Sequence, residues 1–424
     1  MSGLTTSIYC WWDLYSGRNE HNKNIPIDAV INDLKGSGFT TVIAWSVHVN
    51  TSGDLIYNDT SIVSGGKYIG DSGWSANLAA LKQGKTSVNR LLFSIGSGPP
   101  PRDFTNIQAL IKKQGTGTNS ILYKNFKALK DAIPAIDGID LDDEDCYDQN
   151  MVVQLSQMLN TLGYKVTFCP YTNPTFWVDS LYALNSQTPG LVVGFNLQCY
   201  SGGGGNDPQT WINAIAKKMG SGFDAKGFIY PGLCASNKDG DAGGGLSPDQ
   251  ITTQFTKWRT AGIQGGWIWR YDHIKNFGKY TAADYANAIV KGLPGTPVYL
   301  YATQNPSRYY YTTNPADSPG PDWSRSGIAF IAFGSGTVGV IPVRQHSAGN
   351  PQRYSYDITG TLAPGWTDDN KTSFYAYKSQ TAGTVPVYQY HTLLPGEFWN
   401  MFYSLDPNVS GWIKDGVAFY VYGA

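Results

Sequence analysis

Eight short apolar runs, separated by stretches with helical periodicity, fill the first two-thirds of the chain. The runs cover residues 7–12, 41–49, 90–95, 136–142, 165–169, 191–200, 227–233 and 265–269. Runs of this length, bounded by polar segments, read as buried strands. Between them apolar positions recur at helical spacing, for example over residues 125–132 and 151–162. One helix start is sharp. Ser247-Pro248-Asp249-Gln250 reads as a capping box with proline at the first helical position. That helix is expected to run to about Ala261 and stop at Gly262. Eight strand–helix units over residues 1–292 match the (β/α)8 TIM barrel in size and count. In that α/β fold the functional site lies at the C-terminal ends of the strands.

The pattern changes at Gly292-Leu293-Pro294-Gly295-Thr296. Residues 293–296 read as a linker, and helical periodicity is absent from residues 297–424. A repeat takes over. Pro297-Val298-Tyr299, Pro342-Val343-Arg344 and Pro386-Val387-Tyr388 open three copies, with the prolines 45 and 44 residues apart. Each copy carries an aromatic stretch (Tyr309-Tyr310-Tyr311, Tyr354-Ser355-Tyr356, Met401-Phe402-Tyr403), then a tryptophan (Trp323, Trp366, Trp412), then a closing β run. Three all-β copies of this length look like a β-trefoil. A three-bladed or sandwich arrangement is the structural alternative.

Composition narrows the partners. The chain of 424 residues has a formal net charge of -1 and 15% charged residues, with neither a basic stripe for nucleic acid nor a basic face for membranes. No run approaches the roughly 18 apolar residues of a membrane span. Neither nucleic acid nor membrane is therefore expected as a partner, and the chain is expected to be a monomer. The opening residues, Met1-Ser2-Gly3-Leu4-Thr5-Thr6, show no basic segment and no apolar core of a signal peptide. This points to the cytoplasm or to leaderless export, or to secretion if a leader has been trimmed. Five cysteines (Cys10, Cys146, Cys169, Cys199, Cys234), with no CxxC pair, read as buried free thiols. Five scattered histidines have no metal-ligand spacing, and neither a metal nor a cofactor is expected. Asn237-Lys238-Asp239-Gly240-Asp241 hints at a calcium loop, but its twelfth position is Pro248 rather than a bidentate Glu.

The richest chemistry lies in Asp137-Gly138-Ile139-Asp140-Leu141-Asp142-Asp143-Glu144. It follows an apolar-flanked segment and reads as a strand end. On a strand, Asp140, Asp142 and Glu144 share a face, with about 6–7 Å between neighbours. Three carboxylates so placed repel one another, and the arrangement requires shared protons or a chemical use. An acidic solvated loop or a calcium loop is the alternative, disfavoured by Ile139 and Leu141 interleaved at strand period. Asp143, Asp145 and Asp148 fall outside this face and are expected to be solvated.

The run matches D-G-x-D-x-D-x-E in full and resembles the signature of glycoside hydrolase family 18, the chitinases and endo-β-N-acetylglucosaminidases. Ser94-Ile95-Gly96-Ser97 resembles the family's third-strand motif S-x-G-G, with Ser97 as a departure. Gln198-Cys199-Tyr200 resembles its Q-x-Y, and Gly265-Gly266-Trp267-Ile268-Trp269 its eighth-strand motif with one residue fewer before the final Trp. The resemblance implies substrate-assisted retaining hydrolysis, in which the sugar's own acetamide attacks the anomeric carbon. It assigns Glu144 as the general acid. Asp142 orients the acetamide N–H and steadies the oxazolinium ion, and Asp140 shares a proton with Asp142. Tyr200 holds the acetamide carbonyl, and Trp269 forms the floor beneath the sugar. Gln198, Ser94, Gly96 and Tyr171 join Trp269 as sugar-binding candidates. Gln198 could equally fill the barrel, Tyr200 could be a core tyrosine, and Trp267 and Trp269 could be barrel packing. One of Trp11 and Trp12 is expected to face the mouth.

Only about thirty residues separate Leu233 from Ile263, mostly the capped helix, with no space for an α+β insertion walling a tunnel. An open groove and endo cleavage are expected, with Gly202–Gly205 and Pro99–Pro101 on its rim. The substrate is expected to be β-1,4-linked N-acetylglucosamine, as chitin or chito-oligosaccharide. The alternatives are an N-glycan core, or a lectin that binds without cutting, although such proteins usually lose the acid. The aromatic-rich repeats are expected to bind carbohydrate.

Overall fold

A computed structural model describes residues 5–15, 26–84, 86–236, 245–293, 295–314, 316–333, 339–362, 365–380 and 384–422. The Asn237–Asp241 stretch lies outside the described residues. Thr5–Gly292 and Leu293–Ala424 form separate compact units.

The first unit is a closed barrel of eight parallel strands: β1 (Thr5–Cys10), β2 (Thr41–Val49), β3 (Arg90–Ile95), β4 (Gly138–Leu141), β5 (Lys165–Phe168), β6 (Val192–Gln198), β7 (Ile229–Cys234) and β8 (Gly265–Trp269). Each pairs in parallel with the next, and β8 returns to β1 through Thr5↔Gly265. Helices cover the outside, so the strands are buried on both faces. This is why they read as nearly continuous apolar runs. Local chemistry sets the helix starts. Asp148, Asp207 and Ser247 each accept a backbone N–H at the first turn, and Ser247 with Gln250 closes the capping box. The capped helix covers Pro248–Trp258, continues as a 3-10 turn to Ala261 and ends on left-handed Gly262. One region departs from strand–helix alternation. Between β2 and β3, strands Leu55–Tyr57, Thr60–Ser64 and Lys67–Tyr68 fold back antiparallel and widen the sheet beyond β2.

The barrel interior is aromatic. Tyr9, Ile43, Leu92, Cys169, Tyr230 and Trp267 form one buried cluster, with Trp45, Tyr200 and Trp269 packed onto it. Trp267 fits because its register partner on β7 is Gly232. A Cβ at position 232 would sit 1.9–2.3 Å from the indole.

The second unit consists of three antiparallel sheets, one per repeat. They comprise β9 (Thr296–Ala302), β10 (Tyr309–Thr312) and β11 (Ser324–Ala332); then β12 (Ile341–Ala348), β13 (Arg353–Asp357) and β14 (Thr367–Ala376); and then β15 (Thr384–Leu394), β16 (Phe398–Ser404) and β17 (Ile413–Tyr422). The first strand of each repeat is central in its sheet. Between repeats, the isolated bridges Phe333–Tyr375 and Tyr377–Tyr420 join backbone to backbone. A three-fold aromatic core holds the unit. The Tyr311 amide donates to the Tyr356 hydroxyl, the Tyr356 amide to the Tyr403 hydroxyl, and the Tyr403 amide to the Tyr311 hydroxyl, at 2.8–2.9 Å. Phe330, Phe374 and Phe419 meet edge to face below, 5.4–5.8 Å apart.

Gly232→Ala is expected to destabilise the barrel by roughly 3 kcal/mol or more, because a fully buried indole has nowhere to retreat. The urea midpoint followed by tryptophan fluorescence should fall sharply, and an unchanged midpoint would contradict the packing described.

Candidate active site

The acidic run follows β4 out of the barrel, and the shared face grades from interior to surface. Asp140 is 0% exposed and Asp142 4%, while Glu144 is half-buried. Parallel register explains the depth of Asp140, whose neighbours in the ladder are Ser94 on β3 and Thr167 on β5. Its carboxylate accepts from Tyr9 Oη (2.8 Å) and Ser94 Oγ (2.8 Å) on one oxygen. The other oxygen accepts from Thr167 Oγ1 (2.6 Å) and Asn196 Nδ2 (2.9 Å). A carboxylate offers about four lone-pair positions, so all are taken by donors. Burial raises the Asp140 pKa, and the four donors pull against that rise.

Asp142 differs. Burial first, then the negative charges of Glu144 and Asp140, hold its carboxyl well above the usual range, and it also hydrogen-bonds with Glu144. The shared proton expected between Asp140 and Asp142 is thus better placed between Asp142 and Glu144, since no lone pair of Asp140 is open to it. Gln198 clamps the pair. Its Nε2 donates to Asp142 Oδ1 (3.1 Å), Glu144 Oε1 (3.0 Å) and the Cys169 carbonyl (3.3 Å). Gln198, a candidate for sugar binding or for barrel filling, is buried and spends its amide on the two carboxylates. Cys169, 3.3 Å from Tyr9 Oη, is a thiol whose pKa burial raises.

Two other sugar-binding candidates lie below the carboxylates. Ser94 is fully buried under Asp140, and Gly96 packs beneath the Asp142 carbonyl, where a Cβ would lie 2.4 Å from the oxygen at φ +96°. Both shape the site from below. Asp143, expected to be solvated, is buried, and Asp145 and Asp148 are half-buried; all three accept backbone amides. Asp143 accepts the amides of Asp145, Cys146 and Tyr147. Asp145 accepts the amides of Phe104 and Thr105, and Asp148 caps the helix Gln149–Thr161. These structural aspartates fix the loop that aims Glu144.

Beside the carboxylates stands an aromatic wall. Tyr200 lies nearly parallel to Trp269 (6.0 Å, 24°), and Trp45 meets Trp269 edge-on (4.6 Å, 81°). Both Tyr200 and Trp269 are half-buried, whereas Trp267 is fully buried packing. Trp11 extends the wall beside Trp45 and carries the Arg270 guanidinium 3.9 Å from its ring, while Trp12 is buried. Tyr171 sits half-buried against Gly202, next to the turn Ser201–Gly203. Sequence reading missed Trp45, which is concealed in an apolar run, and the Asp140 donors Tyr9, Thr167 and Asn196, which only register brings together.

Neither a family model nor a curated protein sequence matches the chain. Among solved structures it is similar to a GH18 chitinase from Pseudoalteromonas aurantia (12% identity, 68% of this chain and 100% of that one, TM-score 0.47). It is also similar to the catalytic domain of a hyperthermophilic chitinase from Pyrococcus furiosus (10% identity, 68% and 95%, TM-score 0.47). A third is the Group IV chitinase of Ostrinia furnacalis in complex with allosamidin (11% identity, 68% and 100%, TM-score 0.44).

The raised pKa of Asp142 fixes the sign of a stability effect. A carboxyl whose folded pKa exceeds its unfolded value contributes stability below the unfolded pKa and loses that contribution as pH climbs through the folded one. Asp142→Asn, which keeps the shape and removes the charge, is expected to raise the Tm of the barrel at neutral and alkaline pH. The gain should shrink toward acid, where Asp142 is already protonated. Thermal melts across this range would refute the assignment if the variant melted no higher than the parent at any pH.

Proposed function

We propose that residues 1–292 form an endo-acting glycoside hydrolase domain that cleaves β-1,4-linked N-acetylglucosamine by substrate-assisted, retaining catalysis, and that residues 297–424 form its sugar-binding module. The observation that carries the reading is the Asp142–Glu144 pair, held by Gln198 at a barrel strand end beside Tyr200 and Trp269. Glu144, the outermost of the three acids, is the general acid. It protonates the glycosidic oxygen as the bond to the anomeric carbon breaks. The substrate's acetamide oxygen closes on that carbon from the opposite face. The ring so formed is cationic, and Asp142, deep in the site, supplies the opposing charge and accepts the acetamide N–H. Tyr200 Oη has no hydrogen-bond partner among the described residues and is free to hold the acetamide oxygen in line. Trp269 offers its ring face to the apolar face of the sugar, as aromatic side chains do. Asp140 acts from beneath, as an anion that holds Asp142 in its protonation range.

A beta-trefoil-like lectin reading of the second unit rests on its three-fold repeat, whereas the separate sheets favour the three-bladed arrangement.

Glu144→Gln should lower turnover of a fluorogenic chitobiose or chitotriose glycoside by roughly 100- to 10,000-fold while leaving ligand affinity near that of the parent. Parent-like turnover would sink the role of Glu144. Release of glycan from a high-mannose glycoprotein, with the chito-oligosaccharide glycosides left intact, would move the substrate to the N-glycan core. Gln198→Leu should lower kcat more than it raises KM. It should also shift the acid limb of the pH–rate profile to higher pH, because a donor to ionised Asp142 is lost. An unmoved limb would reduce Gln198 to packing.

A further inference from the structure

The three junctions between repeats of the second unit share one scaffold. Arg308 Nη1 donates to the Gln352 carbonyl (2.9 Å), Arg353 Nη1 to the Trp399 carbonyl (3.0 Å) and Asn400 Nδ2 to the Ser307 carbonyl (2.7 Å). Ser307, Gln352 and Trp399 are therefore equivalent positions, and only one of them is aromatic. The residues after the three core tyrosines are Thr312, Asp357 and Ser404, of which one is a carboxylate. Strand register makes Ala302, Ser347 and His391 equivalent as well. The fold needs none of these departures from three-fold symmetry, yet Trp399 and Asp357 face one cavity between the second and third repeats, of about 490 Å³.

We propose that this cavity is a saccharide site for one or two residues of a neutral glycan, a proposal that rests on the sugar-module reading above and gives that module its binding residues. Trp399 is 50% exposed, so burial does not account for it. It is nevertheless held in place. The His391 ring lies 4.4 Å away at 33°, and His391 Nδ1 is anchored on Asp415. An exposed indole fixed before binding is a stacking platform whose ordering cost has already been met. Acceptors surround it. Asp415 Oδ2 takes Gln389 Nε2 (3.0 Å), and Gln389 Oε1 takes the Tyr403 hydroxyl (3.1 Å). Each Asp415 oxygen keeps a lone pair for a sugar hydroxyl. The lining includes neither Lys nor Arg among the described residues, which disfavours phosphate, sulfate and uronic acids. The volume falls within the range of about 300–1,000 Å³ usual for small-ligand pockets.

The test uses the full chain carrying Glu144→Gln, so that bound glycan persists, on an array of chito-oligosaccharides, high-mannose glycans, and sulfated and sialylated glycans. Binding to a neutral glycan is expected, with a matching change in tryptophan fluorescence in solution. Adding Trp399→Ala should weaken that binding roughly tenfold or more, Trp399→Phe should retain part of it, and Gln352→Ala at the equivalent junction should leave it unchanged. Equal binding by Trp399→Ala and its background, a preference for anionic glycans, or no neutral glycan bound would each overturn the proposal. Hydrolysis by the unsubstituted chain is read separately. Its presence alongside Trp399-independent binding sinks this site alone, and its absence alongside Trp399-dependent binding sinks only the barrel chemistry.

Discussion

A carboxylate with no cation beside it among the described residues sits at the centre of the barrel, and much of the candidate site depends on how it is held. Tyr9, Ser94, Thr167 and Asn196 reach Asp140 from four different strands, so the same contacts that solvate the anion also brace β1, β3, β5 and β6 against β4. Hydrogen bonds to a buried charge contribute about 1.5–3 kcal/mol each, which offsets much of its desolvation. The remaining negative field falls on Asp142, two residues further out. With burial and the nearby Glu144 added, the Asp142 carboxyl is held well above the usual range. Burial at one end of a strand thereby prepares the protonation state at the other.

The acidic face was legible because strand parity is independent of the rest of the fold. Asp140, Asp142 and Glu144 had to point one way wherever the strand lay. Its supports were not legible. A tyrosine, serine, threonine and asparagine on separate strands carry no local signal, and barrel register alone makes them one cluster. Asp143, Asp145 and Asp148 misled for the opposite reason. Parity removed Asp143 and Asp145 from the chemical face and Asp148 lies beyond the strand, but an aspartate can also accept backbone amides, which is what these three do. For Asp148 the helix-capping position ahead of Met151 was a usable sign, whereas the partners of Asp145 lie some forty residues away in sequence.

All eight sequence-predicted strands fall within two residues of the observed bounds at both ends. Strong apolar runs between helices leave little freedom. The antiparallel extension after β2 was passed over although Asn58-Asp59 and Gly65-Gly66 are hairpin signals. A frame of alternating strands and helices hid them.

The tyrosine circuit of the second unit has an arithmetic consequence. Each hydroxyl serves the amide of another repeat, and the third returns to the first. Open arrays of stacked repeats can be lengthened or trimmed at their ends. A closed cycle has no end at which to add or remove a member. Deleting any one copy would orphan a buried donor and a buried acceptor at once, so this module is whole at three or not assembled at all.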